Sequence, residues 1–332
     1  MARRVTITDV AQAAGVSVAT VSKVINGRYG VSTATSAHVL GVVDKLGFES
    51  SLVARSLRST RTHVLGILVA EFEPFSAEIL KGAGAGLEDS DYELLAYTGA
   101  KHSGGTGWER RYLSRLSGTL IDGAILVTPT VVDIGAQVPL VAIDPHAGPG
   151  DLPSIESDNL AGGLLATRHL IELGHRRIAF LAGRPDLESS RLREAGYRQA
   201  LVEAGLPVED ALVRSGDYLR ETAYRPALDL LSRPDRPTAV FAGNDLSAIG
   251  VMDAAAQLGL DVPGDLSVIG FDDIPEAAQT TPPLSTVRQP IQEMGATAVR
   301  MLIALLSGVA PEPSHVRLPT ALVLRASTAP PR

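Results

Sequence analysis

The first 61 residues carry eight basic side chains (Arg3, Arg4, Lys23, Arg28, Lys45, Arg55, Arg58, Arg61) against three acidic ones (Asp9, Asp44, Glu49). Lysine and arginine at that density are the chemistry that neutralises phosphates on a nucleic acid. The formal charge of the whole 332-residue chain is −7, so the remaining residues carry −12. A screening length of about 8 Å at physiological salt keeps an acidic body from cancelling a basic segment at one end. A polyanion-binding head on an acidic body satisfies this asymmetry, and so does a basic solvated face with no partner.

Catalytic chemistry finds few candidates. With no cysteine there is no disulfide framework, no thiolate zinc site and no cysteine nucleophile. KGAGAGLED imitates a dinucleotide fingerprint, but Leu87 stands where the third glycine belongs and the segment reads as an amphipathic helix, which points to helix packing. Walker A, G-x-S-x-G and H-E-x-x-H patterns are absent, and the nearest histidines, His169 and His175, fall off a shared helical face. We therefore expect no enzyme, no metal and no cofactor. The opening MARRVTITDVAQAAG lacks a long apolar run before a cleavage site, and no stretch approaches the roughly 20 apolar residues of a membrane span. A cytoplasmic protein without membrane contact is expected.

The elements that position these side chains change character near residue 61. Thr6 followed by Asp9 is a capping-box spacing, after which Val10, Ala11 and Ala14 share a helical face. Gly15 suits a tight turn, Val16 can plug the interhelical angle, and Ser17 can cap VATVSKVIN. Ser32 opens a third helix with Val39, Leu40, Val43 and Leu46 as its core face and Gly47 as its stop. Beyond residue 61, apolar runs (63–70, 93–97, 123–128, 139–144, 177–183, 238–244 and 266–272) alternate with amphipathic segments. Near-continuous apolar strands separated by helices imply parallel sheets covered on both faces, here enough chain for two subdomains with a cleft outside the strand carboxyl ends.

At VTITDVAQAAGVSVATVSKVING the chain resembles the lactose-repressor (LacI/GalR) family of transcription regulators. The resemblance continues through VSTATSAHVLGVVDKLGF, VARSL, GHRRIAFLAG, RLREAGYRQAL, FAGNDLSAIG, DLSVIGFDDIP and TPPLSTVRQP, nearly the whole chain. It implies an all-α helix-turn-helix DNA-binding head (1–50), a hinge helix and linker (51–61), and an α/β periplasmic-binding-protein-like core (62–332) of two doubly wound parallel-sheet subdomains. The first of these would take about 62–160 plus 291–325, the second about 161–290. The resemblance puts Val18, Ala19 and Lys23 at base-reading positions. Lys23 can donate to guanine O6 and N7, while Val18 and Ala19 offer apolar contact to a thymine methyl. Thr6, Ser17, Thr20, Ser22 and Asn26 join them as phosphate or backbone partners, with capping the competing role for Thr6 and Ser17.

SSLVARSLRS resembles the family's hinge helix, with Leu57 as the minor-groove wedge, Ala54 on the packing side, and Arg55 and Arg58 on phosphates. Burying one leucine contributes about 1.5–3 kcal/mol, against about a few kcal/mol to unstack a base step. Leu57 cannot drive the kink alone; two symmetry-related wedges with Arg55, Arg58 and Arg61 on phosphates could, in keeping with the homodimer on a palindromic operator that the resemblance implies. Ser50 and Ser51 replace the Pro-Asn pair common in the family, a departure that favours a hinge more easily melted. The chain ends soon after LVLRAST without leucine heptads, so a dimer rather than a tetramer is expected.

By the same resemblance, effector contacts fall on Phe75, Asp144, Ser189, Arg193, Tyr218, Asn244, Asp272 and Gln289. Several acceptors with a single cation and aromatic walls suit a neutral polyol better than a phosphorylated ligand. A saccharide is the first expectation and a nucleobase or nucleoside the second, with induction or corepression both open. A sugar-transport protein would share the body but would need an export signal and no such head.

Overall fold

The computed structural model describes residues 5–25, 29–46, 61–99, 106–118, 120–131, 134, 135 and 137–332. Asn26, Ala54, Arg55, Leu57 and Arg58, and with them the hinge helix, lie outside the described residues. Two compact units divide the chain at Thr62/His63, one residue beyond the expected boundary.

The first unit contains α1 (Ile7–Ala14), α2 (Val18–Ile25) and α3 (Thr33–Leu46). Thr6 and Asp9 form the capping box, Gly15 ends α1 at φ 64°, and the Val16 amide returns to the Ala11 carbonyl. Ser17 Oγ accepts from the Thr20 amide at 3.1 Å, and Ser32 Oγ from the Thr35 amide at 3.1 Å, so each later helix starts at a hydroxyl cap. Val10, Ala11, Ala14, Val21 and Val39 are buried together, with Val42, Val43 and Leu46 packed against them. Leu40 departs from expectation at 48% exposure. One residue rotates a helix by about 100°, and the core closes on Val39, Val42, Val43 and Leu46 instead.

The second unit holds twelve described strands in two sheets. The first sheet uses β1 (Val64–Val69), β2 (Glu93–Thr98), β3 (Gly123–Val127), β4 (Leu140–Ile143), β5 (Ser154–Ser157) and β11 (His315–Leu318) in the order β11-β5-β4-β3-β1-β2, all parallel. The second uses β6 (Ile178–Ala182), β7 (Val213–Ser215), β8 (Ala239–Ala242), β9 (Ser267–Asp272), β10 (Ser285–Arg288) and β12 (Ala321–Val323) in the order β12-β10-β9-β8-β6-β7. Only the pairing of β12 with β10 is antiparallel among the described strands. β1, β3, β4, β8 and β9 are buried throughout, as strands covered by helices on both faces must be.

The flanking helices are α4 (Pro74–Ala85), α5 (Trp108–Leu116), α6 (Asn159–Glu172), α7 (Glu188–Glu203), α8 (Arg220–Leu231), α9 (Asp245–Gln257) and α10 (Ile291–Leu306). KGAGAG is a helix-packing device: a Cβ on Gly82 would come within 1.9 Å of the Gln292 carbonyl oxygen, and one on Gly295 within 2.3 Å of that of Ile79. Only glycine lets α4 and α10 approach so closely. His175 is a core anchor, its two ring nitrogens lying 2.9 Å from Thr238 Oγ1 and 3.0 Å from both Ser267 Oγ and the Ala329 carbonyl.

The chain passes between the sheets three times, after β5, after β10 and between β11 and β12. Residues 321–323 therefore belong to the second sheet rather than to the first, correcting the expected 291–325 return. The reason is that β12 completes the edge beside β10, whereas β11 completes the edge beside β5. α6 likewise begins at Asn159, two residues before the expected start of the second subdomain. Five strands went unread because each is only three or four residues long: SIES, VRS, STVR and HVRL also carry polar residues, and ALV, though apolar, is the three-residue strand Ala321–Val323.

Candidate DNA-binding face and effector cavity

On α2, Val18, Ala19, Ser22 and Lys23 fall at i, i+1, i+4 and i+5, one face, while Val21 points into the core. Ser17, Val18, Ala19 and Lys23 are exposed and Thr20 and Ser22 half-buried. Val18 is 39% exposed and stands outside the buried cluster of the described residues. Ser17 and Thr20 are mutually engaged, their hydroxyls 2.9 Å apart, and Thr6 is occupied by its capping box, so these three have structural work besides any contact with phosphate.

In the second unit a cavity of about 330 Å³ opens between the carboxyl ends of the two sheets. It sits where each strand order reverses, between β1 and β3 and between β6 and β8, the position at which doubly wound sheets leave a crevice. All eight residues expected there line it: Phe75, Asp144, Ser189, Arg193, Tyr218, Asn244, Asp272 and Gln289. Phe75 enters from the first turn of α4, Asp144 directly follows β4, Ser189 and Arg193 project one turn apart from α7, and Asp272 ends β9.

Arg193 is the centre of the polar wall. It is 3% exposed, its Nε donates to Asn159 Oδ1 at 2.8 Å and its Nη1 to the Gly243 carbonyl at 2.6 Å, and Asp272 Oδ1 lies 3.4 Å from Nη1. Its guanidinium carbon stacks 3.8 Å from the Phe271 ring centroid and 5.3 Å from that of Tyr218. Gly163 and Gly196 let α6 and α7 touch at backbone distance, which holds Arg193 in this place. Gln289 Nε2 donates to Asp272 Oδ1 at 2.6 Å. Burial pushes the Asp272 carboxyl up to about 7, against the opposing pull of Arg193. Burial also raises Asp144 and Tyr218, and it raises Glu73, with the Glu71 charge adding.

Asn244 caps α9, accepting from the Ser247 amide at 2.9 Å, and donates to the Tyr218 carbonyl at 3.0 Å. Its capping role is thus real, and it still faces the cavity. The Tyr218 ring lies against Gly183 and Gly243, where a Cβ would come within 2.3 Å and 3.0 Å of ring carbons. The Tyr218 hydroxyl is buried with no hydrogen-bond partner among the described residues. Backbone strain concentrates here as well: Thr128, Asp144, Asp217, Tyr218 and Asp272 all line the cavity with φ between 47° and 118°. Each such residue costs about 1–3 kcal/mol and survives only where its surroundings over-determine it, which marks the strand ends as a functional region.

Sequence reasoning missed Glu71, Glu73, Trp108, Thr128, Thr130, His146, Arg184 and Asp217, which also line the cavity. Thr128 and Arg184 had a usable signal, each standing at the end of an apolar run. Trp108 had none. It is placed because the fully buried Glu109 accepts from the Thr130 amide at 2.5 Å and from Thr130 Oγ1 at 2.9 Å, while the Gly107 amide donates to Thr130 Oγ1 at 2.8 Å. His146 Nδ1 meets Asp186 Oδ2 at 3.2 Å, and burial lowers the His146 pKa against that carboxylate's pull. Among the described residues no group of three or more acidic or histidine side chains could hold a metal ion, and no helix is long and apolar enough to cross a membrane.

A helical, hydroxyl-capped head joined to a two-sheet ligand-binding body defines a DNA-binding regulator that carries its own sensor. The family of bacterial regulatory proteins, lacI family, matches residues 6–51, and a periplasmic binding protein-like domain matches residues 167–328. The ribose operon repressor of Escherichia coli (strain K12) is 38% identical over 330 residues, covering 97% of this chain and 99% of that protein. A solved complex of the transcriptional regulator CelR with cellobiose is similar at 33% identity and TM-score 0.73, covering 98% of this chain and all of that one. A lac repressor dimer bound to operator and the anti-inducer ONPF is similar at 27% identity and TM-score 0.82, with the same coverage. The chain belongs to the LacI family of transcriptional regulators, and its kinship is with repressors rather than enzymes.

Proposed function

We propose that this regulator represses transcription as a homodimer on a palindromic operator in the cytoplasm, and that a small saccharide bound in the cavity releases it. The observation that carries the saccharide reading is the make-up of the cavity wall: Glu71, Glu73, Asp144, Asp217 and Asp272 against two arginines, with Phe75, Trp108 and Tyr218 as apolar faces. Both arginines are already engaged, Arg193 as described and Arg184 with Asp186 at 2.6 Å, so little cationic capacity remains for a phosphate. Carboxylates facing aromatic walls suit vicinal hydroxyls on one side of a ring and C–H groups on the other. The unpartnered Tyr218 hydroxyl adds a further polar contact for such a ligand. The name of the ribose operon repressor and the cellobiose held by CelR support the same class.

Effector binding acts by population shift: the ligand favours the lobe arrangement in which the paired heads no longer fit the operator, and only differential affinity for the two arrangements can drive release. The wedge role of Leu57 and the phosphate roles of Arg55 and Arg58 belong to this proposal, as do base reading by Val18, Ala19 and Lys23.

A thermal-shift screen of the protein against monosaccharides, disaccharides and purines tests it, because a ligand at 100 times its dissociation constant stabilises by about 2.7 kcal/mol. A sugar that stabilises and also lowers operator affinity supports induction by a saccharide. A purine that stabilises while sugars do not would replace it with corepression by a nucleobase.

A further inference from the structure

Five hydrogen bonds close a ring at the point where the chain first passes from one sheet to the other. Ser157, the last residue of β5, donates from Oγ to Gln289 Oε1 at 2.6 Å, and Gln289 Nε2 donates to Asp272 Oδ1 at 2.6 Å. Arg193 Nη1 approaches the same Oδ1 at 3.4 Å, while Arg193 Nε donates to Asn159 Oδ1 at 2.8 Å. Asn159 Nδ2 then returns to the Ser157 carbonyl at 3.1 Å. None of the five residues is more than 5% exposed. Arg193, Asp272 and Gln289 line the cavity, whereas Ser157 and Asn159 do not.

We propose that Ser157 and Asn159 are positioning residues that tie the cavity's cation and carboxylate to the interlobe crossover, so that ligand contacts and lobe arrangement form one hydrogen-bonded unit. Ser157 and Asn159 flank the first crossover, and Gln289 stands at the second. In a buried, low-dielectric setting each bond polarises the next, and removing one partner leaves a donor or acceptor unpaired at full desolvation cost. A ligand group that engages Arg193 or Asp272 therefore redistributes the bonds that hold both crossovers. Ser157 Oγ also lies 3.4 Å from Met294 Sδ, which ties the ring to α10 beside the first sheet, to which Ser157 itself belongs. This inference rests on the cavity being the effector site.

The side chains of Ser157 and Asn159 share no direct bond, and apart from the Asn159 Nδ2 bond to the Ser157 carbonyl, which Ser157→Ala retains, the Ser157 hydroxyl reaches Arg193 through Gln289 and Asp272. In the ligand-free full chain, hydrogen exchange at the Arg193 Nε–H should accelerate about tenfold or more in Asn159→Ala and also in Ser157→Ala, while Asn159→Asp, which keeps the acceptor for Arg193 and loses the Nδ2 bond to the Ser157 carbonyl, should accelerate it less than Asn159→Ala does. Exchange unchanged in Ser157→Ala would overturn the ring. Titration of the fluorescence of Trp108, the single tryptophan and a cavity residue, with cellobiose and D-ribose supplies the second arm. Each alanine variant should weaken binding about tenfold and the double variant little further. Wild-type affinity in Ser157→Ala, or full additivity in the double variant, would overturn the positioning role. If neither sugar perturbs Trp108 in the wild type, the saccharide reading fails while the exchange measurement still decides the ring.

Discussion

The two compact units assemble their functional residues in opposite ways. In the head, every partner of a capping hydroxyl is three residues away, and the exposed face of α2 is set by one helical repeat. In the body, a single side chain, Arg193, draws on residues 34, 50 and 79 positions away in sequence. The difference teaches where each function is vulnerable. Local hydrogen bonds fail one helix end at a time, whereas a long-range buried network fails as a unit because each group it abandons is out of reach of water.

The largest expected effect strikes the network. Arg193→Ala leaves Asn159 Oδ1 buried without its donor and Asp272 without its neighbouring cation, and should cost about 3 kcal/mol of stability, measured by denaturant unfolding. It should also abolish the ligand response while ligand-free operator binding persists. Retention of the response in an operator-release assay would remove Arg193 from the site. Next comes the head: Lys23→Ala should weaken operator binding by about 1–3 kcal/mol in a fluorescence-anisotropy titration and leave ligand binding to the body untouched. Equal losses at specific and random DNA would make Lys23 a phosphate contact instead of a base reader.

A subtler difference lies in pH dependence. The folded Asp272 carboxyl is raised to about 7 by burial, so the native state binds its proton more tightly than the unfolded chain does. Its contribution to stability is thus fully present below the ordinary carboxylate range and is lost as pH rises towards 7. Asp272→Asn should flatten that slope, and an identical slope in the variant would assign it to another group. A sugar whose hydroxyls donate to the carboxylate should bind more tightly as pH passes 7, and calorimetry at pH 6 and 8 reads this directly. The smallest expected effect is local: Thr6→Ala removes the α1 capping box and should cost about 1 kcal/mol, visible as faster amide exchange in α1 without change in the body.

Legibility followed the same division. Thr6, Ser17 and Ser32 could be assigned as caps from spacing alone, because a helix N-terminus needs an acceptor within three residues and the sequence supplies one. Leu40 failed as a core residue because periodicity predicts a stripe but not its width. In the body, the seven apolar runs marked seven buried or half-buried strands, whereas SIES, VRS, STVR and HVRL are short and partly polar and ALV is too short to stand out. All eight expected cavity residues do meet in one place, yet the resemblance, not their chemistry, singled them out.

The amino-acid order alone settled the starts of the head's three helices, which side of α2 is buried and the alternation of strand with helix in the body, because these depend on interactions within a few residues. The crossing of β12 to the second sheet, the approach of α4 to α10, the placing of Trp108 and the ring from Ser157 to Asn159 were settled by tertiary packing. Each depends on groups distant in sequence sharing a dry interior, where backbone distances of a few ångströms and the need to pair every polar atom select one arrangement.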